Sequence, residues 1–82
     1  MTYQKTYPWD ASARILTAQP IGDVPPAGIA VAGDLATMIR GAMRLPAQYQ
    51  NGLTIVYGAA YNMRMDEIRH AAKLKGFRDK AA

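Results

Sequence analysis

Few residues in this chain are of a type and spacing that could carry out covalent chemistry. Its one histidine, His70, has no cysteine anywhere in the chain to pair with and no nucleophile close by in sequence. Asp66 and Glu67 are adjacent, so on a helix their carboxylates point apart and cannot flank a substrate as a paired acid and base. The glycines at 22, 28, 33 and 41 match neither a P-loop nor a dinucleotide fingerprint. A lone histidine without thiolates does not make a metal site. The expectation is therefore a non-enzymatic protein with no cofactor, metal or small-molecule substrate.

What remains is charge. The chain carries a net +4, and the excess is unevenly placed. Residues 1–33 balance Lys5 and Arg14 against Asp10 and Asp23, whereas residues 34–82 hold eight lysines and arginines against four acids. A basic half joined to a neutral half favours an anionic partner, nucleic acid first. The same charges also describe a solvated helix face with acids first and bases last.

The elements that would position these cations follow from periodicity. Leu35, Met38, Ile39 and Ala42 recur at i, i+3, i+4, i+7, and Asp34 stands where a cap belongs, which predicts a helix over 34–45. Pro46 opens a short turn through Gln50, and Asn51-Gly52 breaks the chain at a site suited to positive φ. Leu53, Val56, Tyr57, Ala60 and Tyr61 align on one face of a helix, although Leu53–Tyr57 has the β-branched and aromatic content of a strand. A last helix is expected from Met65 or Asp66 to Lys75, with Gly76 as its C-cap, Phe77 folding back to the core and the tail fraying.

Before these come an aromatic arm (Met1 to Trp9), a short helix over 11–18 capped by Asp10, and a connector from Pro20 to Gly33 with three prolines and three glycines. Within the connector, Ile29 and Val31 with neighbouring alanines suit one short strand or apolar strap. The expected fold is mainly α: a small single-domain helical bundle with an irregular N-terminal third (1–33) and a basic helical domain (34–82). The alternative is α+β with a short strand at 53–57.

Residues 54–73 fit the spacing of a helix-turn-helix. Gly58 is small where two helices would cross, Asn62 tolerates the left-handed turn, and Tyr57, Tyr61, Met63, Ile68 and Ala71 supply the apolar positions. In this the segment resembles helix-turn-helix DNA-binding proteins, though these more often carry alanine at the crossing and glycine at the turn. The resemblance implies a small, dimeric DNA-binding regulator of transcription, of phage or mobile-element origin. Its second helix would present Arg64, Arg69, His70 and Lys73 to a major groove, Arg69 reading guanine. Lys75, Arg78 and Lys80 beyond it, and Arg40 and Arg44 on the preceding helix, would contact phosphates.

A rival reading comes from the arm, where Tyr3, Tyr7 and Trp9 suit docking on a protein partner or a second copy. On that reading the chain is a protein-binding inhibitor or assembly factor, an anti-CRISPR-like or phage accessory protein. The absence of cysteine and of any apolar run near the ~18 residues of a membrane span points to a cytoplasmic protein. Met38, Met43, Met63 and Met65 are expected to fill the core.

Overall fold

A computed structural model describes residues 3–18, 32–59 and 61–81, with residues 80 and 81 described by backbone alone. The chain forms β1 (Ser12–Leu16), β2 (Ala32–Asp34), α1 (Leu35–Arg44), α2 (Ala47–Gln50), β3 (Thr54–Tyr57), β4 (Tyr61–Arg64), α3 (Met65–Ala72) and α4 (Lys75–Ala81). The four strands make one antiparallel sheet in the order β2-β1-β3-β4. The fold is thus α+β, with a sheet covered on one face by helices, and not the mainly helical bundle expected.

The correction is largest in two segments. Residues 12–16, expected as helix, alternate strictly: Ala13 and Ile15 are buried while Ser12, Arg14 and Leu16 are exposed. That period of two is the strand signature, and Ser-Ala-Arg-Ile displays it in sequence. Residues 54–64 form a hairpin, so the helix-turn-helix does not exist. Thr54, Ile55 and Val56 are β-branched in succession and stiff at χ1, which disfavours a helix and fits a pleated strand. Gly58, expected at a helix crossing, instead opens the hairpin turn at φ +63°. Asn62, expected to bend the chain, sits in β4 opposite Val56.

Other expectations hold. α1 spans 35–44, and Leu35, Met38, Ile39 and Ala42 are all fully buried. Asp34 caps it, its carboxylate accepting from the Thr37 backbone N–H at 3.0 Å. The Gln50 side chain reaches back from α2 to donate to the Ala42 carbonyl at 3.0 Å, adding to the long 3.4 Å bond which that carbonyl accepts from the Leu45 N–H at the C-terminal end of α1. Gly52 takes φ +80°, as its place after Asn51 suggests. The last helix is two: the chain breaks at Lys73 and Leu74, and Gly76 lies inside α4 rather than capping α3. Most of the Pro/Gly connector, with Ile29 and Val31, lies outside the described residues, but its end supplies β2.

One core joins the layers. Ala13, Ile15, Ile55, Tyr57 and Met63 project from the sheet against Leu35, Met38, Ile39 and Ala42 of α1 and against Met65, Ile68 and Ala71 of α3. Met38, Met63 and Met65 are core residues as expected, whereas Met43 is 42% exposed. The buried residues described include no charged group. Ile55 lies at the centre, paired with Ile15 on one side and Met63 on the other. Ile55→Ala is expected to cost about 2–5 kcal/mol by transfer and cavity terms. Set against a total stability on the order of 4–12 kcal/mol for this length, that is a large fraction. Urea unfolding of the variant checks it, with Leu16→Ala on the exposed face as the near-neutral control.

Candidate functional site

The sheet face turned away from the helices is the broadest surface that strand register defines. Two cross-strand rows cover it: Ala32, Arg14, Val56 and Asn62 in one, and Leu16, Thr54 and Arg64 in the next. Arg14, Arg64, Asn62 and Leu16 are exposed, while Thr54 and Val56 on the central strand are half-buried by their neighbours. Ser12, Arg14, Leu16, Ala32, Val56 and Gly58 line one open depression on this face. Leu16, Thr54, Asn62 and Arg64 border a second.

The register also sets the spacing of charge. Arg14 and Arg64 lie two strands and one pleat repeat apart, about 12 Å between Cα atoms at normal strand spacing and rise. Among the described strand residues of this face the one carboxylate is Asp34, at the corner diagonal to Arg64, where it is held by the Thr37 N–H and hydroxyl. Thr54 and Asn62 stand between the two guanidinium groups as hydrogen-bond formers. The face is cationic, polar and partly aliphatic, and it bears no aromatic ring among the described residues.

The remaining cations from the sequence reading are distributed elsewhere. Arg69 is exposed on α3, bordering a recess with Gln50, Asn51 and Asp66. Lys73 ends α3 and is exposed, as are Lys75 and Arg78 on α4. Arg44 is exposed at the end of α1, and Arg40 is half-buried on the same helix. The structure therefore assigns Arg64 to the sheet and Arg69 and Lys73 to the helical layer, rather than aligning all three on one recognition helix. Arg14 and Asn62 were missed as partners of Arg64, because a helix at 11–18 hides their common face.

The aromatic arm turns out to dock on its own chain. Tyr3 donates its hydroxyl to Asp66, and Tyr7 donates to Glu67 at 2.6 Å. His70 Nε2 meets the Gln4 carbonyl at 2.8 Å, so that nitrogen carries the proton. The Tyr3 ring lies 5.1 Å from the His70 ring. His70 is thus half-buried beneath the arm rather than facing outward with Arg69. Trp9 packs on Phe77 with ring centres 6.0 Å apart, and Phe77 does fold back to the core as expected. Asp66 and Glu67, the adjacent acids of α3, are the anchors of this arm.

These contacts shift ionisation. The hydrogen bond from Tyr3 holds the Asp66 carboxyl below its usual range, and the same bond raises the Tyr3 phenol. Burial, then the bond to Glu67, pushes the Tyr7 phenol well above its ordinary value; burial also raises Tyr57. No described group of three or more His, Cys, Asp or Glu residues could hold a metal ion. No helix among the described residues is long and apolar enough to cross a membrane. Comparison with protein families, with curated proteins and with solved structures yields no match to this chain.

Two outcomes follow for the arm. A Cβ at position 76 would lie 2.7 Å from Trp9 Nε1. Gly76→Ala should therefore destabilise the protein by about 1 kcal/mol, the overpacking outweighing the better helix propensity of alanine. The emission of the one tryptophan should shift red as its indole moves into water. Because the Tyr7 phenol is raised on folding, its contribution is complete below the ordinary tyrosine range near pH 10 and is lost above it. Alkaline titration followed by tyrosinate absorbance should show a late component shared by Tyr3, Tyr7 and Tyr57, from which Tyr7→Phe removes the latest part.

Proposed function

We propose that this protein binds nucleic acid through the phosphate backbone, using the uncovered face of its sheet and catalysing no reaction. The observation that carries this reading is the pair of guanidinium groups, Arg14 and Arg64, set on a face whose other polar strand residues are Ser12, Thr54, Asn62 and, at the corner away from Arg64, the capping carboxylate of Asp34. An arginine fork matches a phosphate with two hydrogen bonds, and hydroxyl and amide groups between two forks suit the oxygens along a backbone. The exposed Arg69, Lys73, Lys75 and Arg78 of the helical layer add to the attractive field. Backbone contacts carry no base information, so the binding is expected to tolerate sequence, unlike that of a groove reader.

A second reading rests on one observation: Leu16 is 49% exposed beside Thr54 on this same face. An apolar group among cations suits an acidic protein surface, which keeps the inhibitor or assembly-factor reading in play. The arm no longer supports it, because Tyr7 is buried and Tyr3 and Trp9 are engaged within the chain.

Titration of mixed-sequence single-stranded and duplex oligonucleotides across a salt series separates the two readings. Micromolar binding that weakens steeply with salt is expected. In the double variant R14Q/R64Q affinity should fall at least tenfold, and the logarithmic salt slope should drop by about 1.4 on single strands or 1.8 on duplex. Absence of binding at low salt, or binding indifferent to both arginines, overturns the nucleic-acid reading.

A further inference from the structure

An aromatic series runs through the molecule and ends in solvent. Phe77, Trp9, Tyr7 and Tyr57 follow one another with ring centres 6.0, 5.6 and 6.5 Å apart, and Tyr61 closes the series 5.5 Å from Tyr57. The last contact differs from the others. Its rings are only 22° from parallel, a stack, whereas the earlier pairs are tilted or edge-on. Tyr57 is 5% exposed and Tyr61 is 62% exposed, so one face of the outer ring rests on protein and the other is open.

The Tyr61 ring is also held in place. Gly58 lies against its edge, so close that a Cβ there would come within 3.3 Å of Cδ2. Tyr57 beneath it is fixed in turn by the core and by Gln4, which donates to its hydroxyl at 3.3 Å. A ring already fixed presents a π face with little ordering left to lose on binding.

Position relates this ring to the cationic face. Tyr61 opens β4, a strand at the sheet edge, where it pairs with Tyr57 and shares the helix-covered side. Asn62 and Arg64 of the same strand lie on the uncovered side, so the ring and the cationic face meet only around this edge. The Cα atoms of Tyr61 and Arg64 are about 10 Å apart along the strand. Because the two side chains leave opposite faces of β4, only a flexible strand that wraps the edge can place a phosphate at Arg64 and a base of a nearby nucleotide on Tyr61. A base inside a duplex is already stacked on both faces and cannot use the ring.

We propose that Tyr61 is the stacking platform for one unpaired base, and that the ligand of this face is therefore single-stranded nucleic acid. This rests on the phosphate-binding reading above. One ring accepts any base, because each has a π face, and so it adds affinity without adding a sequence code. The rest of the contact is electrostatic, since the uncovered face itself carries no ring among the described residues.

The test compares oligothymidylate with an abasic deoxyribose-phosphate polymer of the same length and charge. The unaltered protein should bind oligothymidylate about 5- to 150-fold more tightly, the range of one base-ring stack. Tyr61→Ala should reduce that preference to near unity with its circular dichroism unchanged, Tyr61→Phe should retain it, and Tyr61→Leu should lose most of it. Equal binding of the two polymers by the unaltered protein overturns the platform while leaving the phosphate contacts of Arg14 and Arg64 standing. A preference that survives Tyr61→Ala overturns it too. Failure to bind either polymer removes the nucleic-acid reading itself, and the platform with it. Should Tyr61→Ala instead abolish self-association in sedimentation and leave oligonucleotide binding unchanged, the ring belongs to a protein contact and the proposal falls.

Discussion

The pairing of β1 with β3 is the contact on which the other layers depend. It places Ile15 beside Ile55 and Ala13 beside Tyr57, joining residues about forty positions apart in the middle of the sheet. Removing it would leave β2 and the β3-β4 hairpin as separate fragments, and an isolated hairpin is marginal in water. α1 would then have no surface for Leu35, Met38, Ile39 and Ala42, all of which are fully buried. So long-range a contact costs chain entropy to form, and it is stabilised only because both strands turn their apolar side to the same helices.

The N-terminal arm is a second consequence of that pairing. Once β1 is in the sheet, the chain before it passes beside α3 and α4, where Asp66, Glu67 and His70 meet Tyr3, Tyr7 and Gln4. The backbone reinforces this path: the Leu35 N–H donates to the Ala11 carbonyl and the Ala36 N–H to the Trp9 carbonyl, tying the end of the arm to the start of α1. Aromatic area that would be available to a partner in an extended arm contributes instead to a core that contains much alanine. A small domain without disulfides or metal has few other ways to enlarge its buried apolar surface.

Charge is arranged around this framework rather than within it. The carboxylates of α3 accept hydrogen bonds from the arm, and Asp34 is occupied in capping α1, so several acids are engaged while Arg14 and Arg64 stand on the open sheet face. Hydrogen-bonded carboxylates keep their charge, and Arg64 is among the groups that hold Asp66 ionised, so the positive character of the sheet face comes from Arg14 and Arg64 themselves. This distribution makes the sheet face, more than the basic C-terminal helices, the centre of the functional reading. The separation of Arg64 from Arg69 into different layers removes the geometry of a single recognition helix.

The sequence by itself determined the local features whose causes are local. Asp34 as a cap, the 3.6-residue spacing of Leu35 to Ala42 and the turn at Gly52 all follow from neighbouring residues. So did the alternation of Ser12 to Ile15, although the nearby Asp10 and Pro20 suggested a short helix. Only tertiary structure decided residues 53–62, because Leu53, Val56, Tyr57, Ala60 and Tyr61 satisfy a helical stripe while Leu53, Ile55 and Tyr57 satisfy a strand. Periodicity cannot separate the two over so short a run; a partner strand can, since the backbone groups of Thr54–Tyr57 bond to β1 on one side and β4 on the other. The same partner strand turned Arg14, Asn62 and Arg64 to a common face, a relation between distant residues that no local pattern encodes.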